Sequence, residues 1–240
     1  MEDSTKERFN RTEELFGKEA MERLYNSKVA IFGVGGVGGY AAEVLARSGI
    51  GNIDIFDNDK VDVTNINRQI YALTSTIGQY KVDVAKKRIE DINPDCHVCT
   101  HKVFYLPANA DETDLSAYDY VIDCIDTVVA KVELAVRCHE QNIPIISSMG
   151  AANKLDATAF KVTDISKTKI DPLAKVVRKR LKKADITHLK VVYSEEEPCL
   201  LSCKSDGTPP ASNAFVPAAA GLIIGGEVVK DLIKATQEHQ

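Results

Sequence analysis

Three glycines, two aspartates, an arginine and a lysine carry the chemistry open to this chain. Gly33, Gly35 and Gly38 fit the spacing GxGxxG directly after an apolar run at 28–32. In that pattern the first glycine makes a tight turn, the second lets a phosphate approach the backbone, and the third lets helix and strand pack closely. A phosphate would then sit at a helix N-terminus, where free N–H groups and the helix dipole favour an anion. Asp57 ends the next apolar run, 52–56, in position for its carboxylate to hold a ribose hydroxyl. Arg68 and Lys81 flank a short connection that begins at the same strand end, and two cations there suit a triphosphate better than the pyrophosphate of a dinucleotide. Asp126 closes a later apolar run, where a carboxylate can hold a magnesium ion bridging phosphates. Each has an ordinary structural explanation when taken singly: a packing glycine, a surface cation, the first lysine of a helix, an aspartate capping a helix. Their shared location makes them a nucleotide site.

The elements around these residues alternate. Residues 40–47 read as a helix stopped by Gly49, 52–56 as a second strand, and 58–69 as a polar loop of turn formers. A helix over 81–92 is closed by Asn93-Pro94, and strands follow at 96–104, 118–124 and 144–148, with a helix at 127–141. Strand and helix in turn predict an α/β, Rossmann-like fold with a mostly parallel sheet. Beyond Gly150 the pattern weakens. Residues 158–162 begin an antiparallel portion, and Asp171-Pro172 starts a helix with aspartate as cap and proline in the first turn. That helix carries Leu173, Val176, Val177 and Leu181 on one side and Lys175, Arg178, Lys179, Arg180, Lys182 and Lys183 on the other. Residues 194–212 read as a long loop, and 217–233 as a final helix whose alanines and glycines allow close packing on the sheet. The first 27 residues read as a charged arm and a helix, with Leu15, Phe16, Ala20, Leu24 and Tyr25 at helical spacing. The expected organisation is an arm at 1–27, a nucleotide-binding core at 28–150, and a substrate-binding part of the same domain at 151–240.

Composition narrows the class. The 240 residues carry a net charge of −5, so the molecule as a whole is no polycation built for nucleic acid. Residues 175–190 nevertheless carry +6, leaving −11 for the rest, a local basic patch that is either a docking face or a face kept charged for solubility. The longest apolar stretch, 214–226, is interrupted by Pro217 and Gly221 and falls short of the roughly 20 residues that span a bilayer. With charges where a signal peptide needs an apolar run, the chain reads as cytoplasmic, without a membrane partner. Its six cysteines then read as reduced thiols. Cys96 and Cys99 would point to opposite faces of a strand, and Cys199 and Cys203 lack the further ligands that a closed zinc site needs, so no zinc is expected.

The segments Arg8-Phe-Asn-Arg11, Gly33-Val-Gly-Gly-Val-Gly38, Asp57-Asn-Asp59, Asn65-Ile-Asn-Arg-Gln69, Gly78-Gln-Tyr-Lys81 and Asp123-Cys-Ile-Asp126, in this order, resemble the motif set of the ubiquitin-activating-like adenylyltransferases. That family includes the enzymes that activate the sulfur carriers of molybdopterin and thiamine synthesis. The late segments, 165–173, the basic helix and 191–198, most resemble the branch that dehydrates threonylcarbamoyladenosine in tRNA. The resemblance implies that ATP is the nucleotide, with Asp57 on its ribose, Asn65, Arg68 and Lys81 on its phosphates, and Asp126 on magnesium. It places Gly35 and Gly36 against the nucleotide, with Asp59 in the same set, and sends Arg11 to the phosphates of a neighbouring subunit in a homodimer. It makes tRNA the partner and the basic helix its docking face. Zinc-bearing relatives carry two C-x-x-C pairs; here Cys199 and Cys203 have one residue too many between them and 230–240 has no cysteine, so zinc is not implied. Three other readings of the same residues stay open: an adenylyltransferase for the C-terminus of a ubiquitin-like sulfur carrier, an NAD-linked oxidoreductase in which Arg68, Lys81 and Asp126 are incidental, and a non-catalytic nucleotide-binding module.

Overall fold

The apolar runs become seven strands of one sheet in a computed structural model that describes residues 3–199 and 210–234. In chain order the elements are α1 (Asp3–Phe16), α2 (Lys18–Asn26), β1 (Lys28–Phe32), α3 (Gly38–Arg47), β2 (Asn52–Phe56), α4 (Lys81–Ile92) and β3 (His97–His101). There follow β4 (Tyr120–Asp123), α5 (Val128–Glu140), β5 (Ile145–Ser148), β6 (Phe160–Asp164), α6 (Pro172–Leu181), β7 (Lys190–Ser194) and α7 (Val216–Lys234). The strand order is β3-β2-β1-β4-β5-β7-β6, and only β6 runs antiparallel, against β7. Phe32 of β1 pairs with Phe56 of β2 on one side and Asp123 of β4 on the other, so these strands end level and their loops share one edge. The chain turns outward in opposite directions from β1, toward β2 and β4, and that reversal is where open α/β sheets bind ligands.

Both faces of the central strands are covered, which is why they read as continuous apolar runs. Val29, Ile31, Ile53 and Ile55 pack in a core with α3, α4 and α7, whereas Ala30, Phe32, Phe56 and Val121 pack with Ala130, Leu134 and Cys138 of α5. A third cluster joins α5 to α6 through Ala135, Ala174, Val177 and Leu181.

Four details depart from the sequence pattern. The N-terminal segment is two helices, because Gly17 takes a φ of 86° and breaks the line between them. Leu15 consequently leaves the apolar stripe, 78% exposed, and Met21 joins Ala20 and Leu24 in the buried face of α2. In α6 the buried face is Ala174, Val177 and Leu181, with Val176 turned out at 41% exposure. Strand β7, which a run as short as 191–193 does not announce, inserts between β5 and β6. Finally, two of the three glycines of α7 face α3 rather than the sheet: a Cβ on Gly221 would lie 2.3 Å from the Val37 carbonyl oxygen, and one on Gly225 2.6 Å from Val44 Cβ. Among the described residues no helix is long and apolar enough to cross a membrane.

Candidate active site

The glycine loop separates residues that the fold demands from one that it does not. Gly33 has a φ of 86°, and a Cβ there would stand 2.8 Å from the Cys124 carbonyl oxygen. On Gly38 a Cβ would lie 1.8 Å from the Gly33 carbonyl oxygen, an impossible contact. Gly35 is different, since the nearest atom to its imaginary Cβ is Gln69 Nε2 at 3.7 Å, an ordinary contact. The chain itself leaves room at the second glycine, the position at which a phosphate approaches the backbone in this pattern. No side chain caps α3, so the N–H groups and the positive end of its dipole face this space.

Asp57 ties the loop to the end of β2. Its Oδ2 accepts from the Val34 N–H at 2.9 Å and its Oδ1 from the Asp59 N–H at 2.8 Å. Burial pushes its carboxyl above the ordinary aspartate range, and nearby Lys81 and the two N–H donors pull the other way. Lys81 is buried at the start of α4, with Nζ 2.7 Å from Oδ2 of the exposed Asp59. Arg68 reaches back beside the glycine loop: its Cγ would lie 3.4 Å from a Cβ on Gly36, while Nη1 donates to the Thr64 carbonyl at 3.0 Å and Asn67 Oδ1 at 2.9 Å. Asn65 is buried in the turn between them, and its Oδ1 accepts from the Asp62 N–H at 3.1 Å, so its contact with any ligand falls to the amide nitrogen.

Asp126 lies exposed beyond β4, next to Cys124 and Ile125, whose backbone faces Gly33. Its Oδ1 accepts from Thr127 Oγ1 at 3.2 Å. Among the described residues no group of three or more His, Cys, Asp or Glu side chains could enclose a metal. A single carboxylate fits magnesium, which keeps several waters and shares the phosphates of its nucleotide. Burial raises the Cys124 thiol to about 12, which keeps it protonated and inert within this edge.

Residues 9–240 match the ThiF family over nearly the whole chain. The chain belongs to that family. A tRNA threonylcarbamoyladenosine dehydratase of Bacillus subtilis is 50% identical over 240 residues, 94% of each chain, and the Escherichia coli protein of that name is 40% identical over 88% of this chain and 81% of its own. The crystal structure of the E. coli enzyme TcdA in complex with ATP superposes with a TM-score of 0.92 at 34% identity, covering 100% of this chain and 99% of that one. Its complex with AMP gives 0.91 at 36% identity, over 100% and 98%.

In this ThiF-family chain the structure brings Gly33, Gly35, Gly36, Gly38, Asp57, Asp59, Asn65, Arg68, Lys81 and Asp126 to one sheet edge, but not Arg11. Arg8 Nη1 donates to the Asp91 carbonyl at 3.5 Å, near the end of α4 opposite to Lys81, and the 12 residues of α4 span about 18 Å. One turn further along α1, Arg11 is exposed and makes no hydrogen bond or ion pair among the described residues. The basic helix also divides. Lys175, Lys179, Arg180, Lys182 and Lys183 are exposed, but Arg178 turns inward, where Nη1 donates to the Ile165 carbonyl at 3.1 Å, the Thr168 carbonyl at 3.0 Å and Thr168 Oγ1 at 2.5 Å. Cys203 lies outside the described residues, so the Cys199 and Cys203 pair has no structural account.

Sequence reasoning missed Lys131. Fully buried, its Nζ lies 2.8 Å from Asp123 Oδ2 and 2.9 Å from the Ser148 carbonyl, while Ser147 Oγ donates to the same carboxylate at 2.5 Å and Asp123 Oδ1 accepts from the Ile125 N–H at 3.1 Å. The network clamps the ends of β4 and β5 to α5 directly beneath the turn that presents Asp126. The signal was present, because Lys131 falls in the buried stripe of Ala130, Leu134, Ala135 and Cys138. Gln69 and Pro217 were also passed over; Pro217 would lie 3.2 Å from a Cβ on Gly36, and Asn67 Nδ2 donates to the Ser212 carbonyl at 3.1 Å, so the approach to α7 closes over the glycine loop.

Proposed function

We propose that this ThiF-family protein catalyses the ATP-dependent dehydration of threonylcarbamoyladenosine in tRNA, through adenylation of the threonyl carboxylate. One observation carries the reading: an open Gly35, Asp57, Arg68 and Lys81 converge at the β1/β4 reversal in a chain half identical to a dehydratase of that name. The solved relative was captured with ATP, the substrate of adenylation, and with AMP, the group that leaves when an acyl-adenylate is consumed.

A carboxylate is a poor electrophile because its oxygen does not leave. Attack by that oxygen on the α-phosphate of ATP forms a new P–O bond, breaks the bond to the β-phosphate, and expels pyrophosphate. A nitrogen of the same side chain then attacks the acyl carbon, AMP departs with the former carboxylate oxygen, and the nitrogen's proton passes to solvent. One water is lost overall. No general base is needed for the first step, because a carboxylate is already ionised at neutral pH. Closing a ring within one molecule gains high effective molarity, so the protein has mainly to activate and position.

In this reading Asp57 holds the ribose and the uncapped end of α3 receives phosphate over Gly35 and Gly36. Arg68, Lys81 and the Asn65 amide stabilise the charge that builds on the phosphates. Asp126 holds magnesium, whose charge when bound helps neutralise the phosphates. Arg11, remote from its own site, completes that of the partner in a homodimer. The exposed cations of α6 hold tRNA, residues 28–150 serve ATP and residues 151–240 the RNA, and the enzyme works in the cytoplasm. The test is incubation with ATP, magnesium and tRNA bearing threonylcarbamoyladenosine. The expected result is AMP, pyrophosphate and a nucleoside lighter by one water. An unchanged nucleoside mass, with pyrophosphate released only when a ubiquitin-like carrier is supplied, would transfer the chain to the carrier-activating reading.

A further inference from the structure

The cation track of α6 has an apolar tip where it meets the site. Ile170 is 52% exposed and takes a φ of 63°, a left-handed conformation that a β-branched residue adopts only under constraint. The constraint is visible. The Asp171 N–H donates to the Lys169 carbonyl at 2.6 Å, folding the chain tightly around Ile170. The buried carboxylate of Asp171 then fixes both flanks, accepting from the Ala174 N–H at 2.8 Å and the Gly150 N–H at 3.0 Å. Gly150 stands three residues beyond Ser147, and Asp126 three beyond Asp123, which pairs with Ser147. Ile170 is therefore held next to the edge that carries Asp126. Lys169 precedes it directly and Lys175 follows one turn into α6; both are exposed and form no ion pair among the described residues.

The geometry points to Ile170 as a wedge that packs against the face of an unpaired nucleobase flanking the modified adenosine. The inference rests on the tRNA reading above and names the contact that makes the substrate a nucleotide within a strand. The reacting group is a side chain carried by that adenosine, and single-stranded RNA is held by apolar or aromatic surface against the faces of unstacked bases with cations along the backbone. An exposed aliphatic side chain on a strained, doubly clamped turn, with exposed lysines before it and one turn after it, offers both. A solvated charged face would have no use for either the strain or the apolar tip.

Ile170→Gly tests this without threatening the fold, because glycine adopts the left-handed conformation freely. Its thermal midpoint should equal or exceed that of the wild type. With modified tRNA, KM should rise about tenfold, the low end of what loss of a stacked base costs. KM for ATP, the salt dependence of tRNA binding, and turnover of the free modified nucleoside, which has no flanking base, should stay unchanged. Ile170→Phe should bring KM for tRNA back to within about twofold of the wild type, since an aromatic ring stacks at least as well. A wild-type KM for tRNA in Ile170→Gly overturns the proposal. So does an equal loss on the free nucleoside, which would mean damage to the site itself. A wild-type enzyme that does not turn over modified tRNA at all defeats the tRNA reading, and the wedge with it.

Discussion

Alanine at Gly35 and at Gly38 should have opposite effects, although the two glycines belong to one loop. Gly35 lies outside the left-handed region, and its added methyl meets nothing closer than Gln69 Nε2 at 3.7 Å. Replacing glycine by alanine at such a position removes unfolded-state freedom and stabilises by about 0.4–1 kcal/mol. In a chain of this size 1 kcal/mol moves the midpoint by about 2–4 °C, so Gly35→Ala should melt about 1–4 °C higher than the wild type. At Gly38 the methyl would stand 1.8 Å from the Gly33 carbonyl oxygen, so the strand end and helix must separate by well over an ångström. Overpacking of that kind costs about 1–3 kcal/mol or more, and Gly38→Ala should melt about 2–12 °C lower. Binding inverts the order of interest. ATP at about 100 times its Kd adds about 2.7 kcal/mol to the folded state, a rise of roughly 5–10 °C in the wild type. In Gly35→Ala the methyl occupies the space kept for phosphate, and the ATP-induced rise should nearly vanish while the protein without ATP is the more stable of the two. Differential scanning fluorimetry with and without ATP reads both quantities in one plate. A Gly35→Ala protein with the full ATP-induced rise would refute the placement of phosphate over that residue.

Asp126→Ala should lower kcat at least about a hundredfold with little change in KM for ATP, as expected for a metal-holding group that acts through phosphoryl transfer, and wild-type turnover would remove it from the site. Reversing the exposed stripe Lys175, Lys179 and Lys183 to glutamate should weaken tRNA binding and flatten its salt dependence by about 0.7–0.9 per lost phosphate contact, with ATP binding unaffected; an unchanged slope would assign the stripe to solubility. Arg178 is left out of that set because it holds the Ile165 and Thr168 carbonyls. Mixing Arg11→Ala with Asp126→Ala, each inactive alone, should restore about a quarter of wild-type sites after random re-pairing, since half the dimers are mixed and each of those has one intact site. Heterodimers that form and remain inactive would show that Arg11 does not act across the interface.

What could be read from the sequence was what neighbouring residues decide among themselves. The glycine spacing, the strand before it and Asp57 after it are local, and the alternation of apolar runs was enough for the α/β sheet and its antiparallel tail. Direction in space was harder. Leu15 kept helical spacing with Phe16 and Ala20, but one left-handed glycine between them sent it to solvent. Arg178 looked like its cationic neighbours, and only the turn at 165–168, folded against α6, supplies the three acceptors that draw it inward. Lys131 was not singled out, since lysine is usually a surface residue; its partners come from β4 and β5, 8 and 16 or 17 positions away.

The close seat of α7 on α3 has a consequence for how the protein is made. Helix α3 carries the glycine loop at its start and belongs to the first βα unit, yet the surface into which Gly221 and Gly225 fit stays bare until α7 has been synthesised. A nascent chain that has completed β1 to β7 still lacks the element that covers this helix, and Pro217 is not yet against Gly36. A chain in which α7 has not yet docked would expose the apolar face of α3 to chaperones and leave the glycine loop without its Pro217 wall, so the seating of α7 is the step that completes this edge.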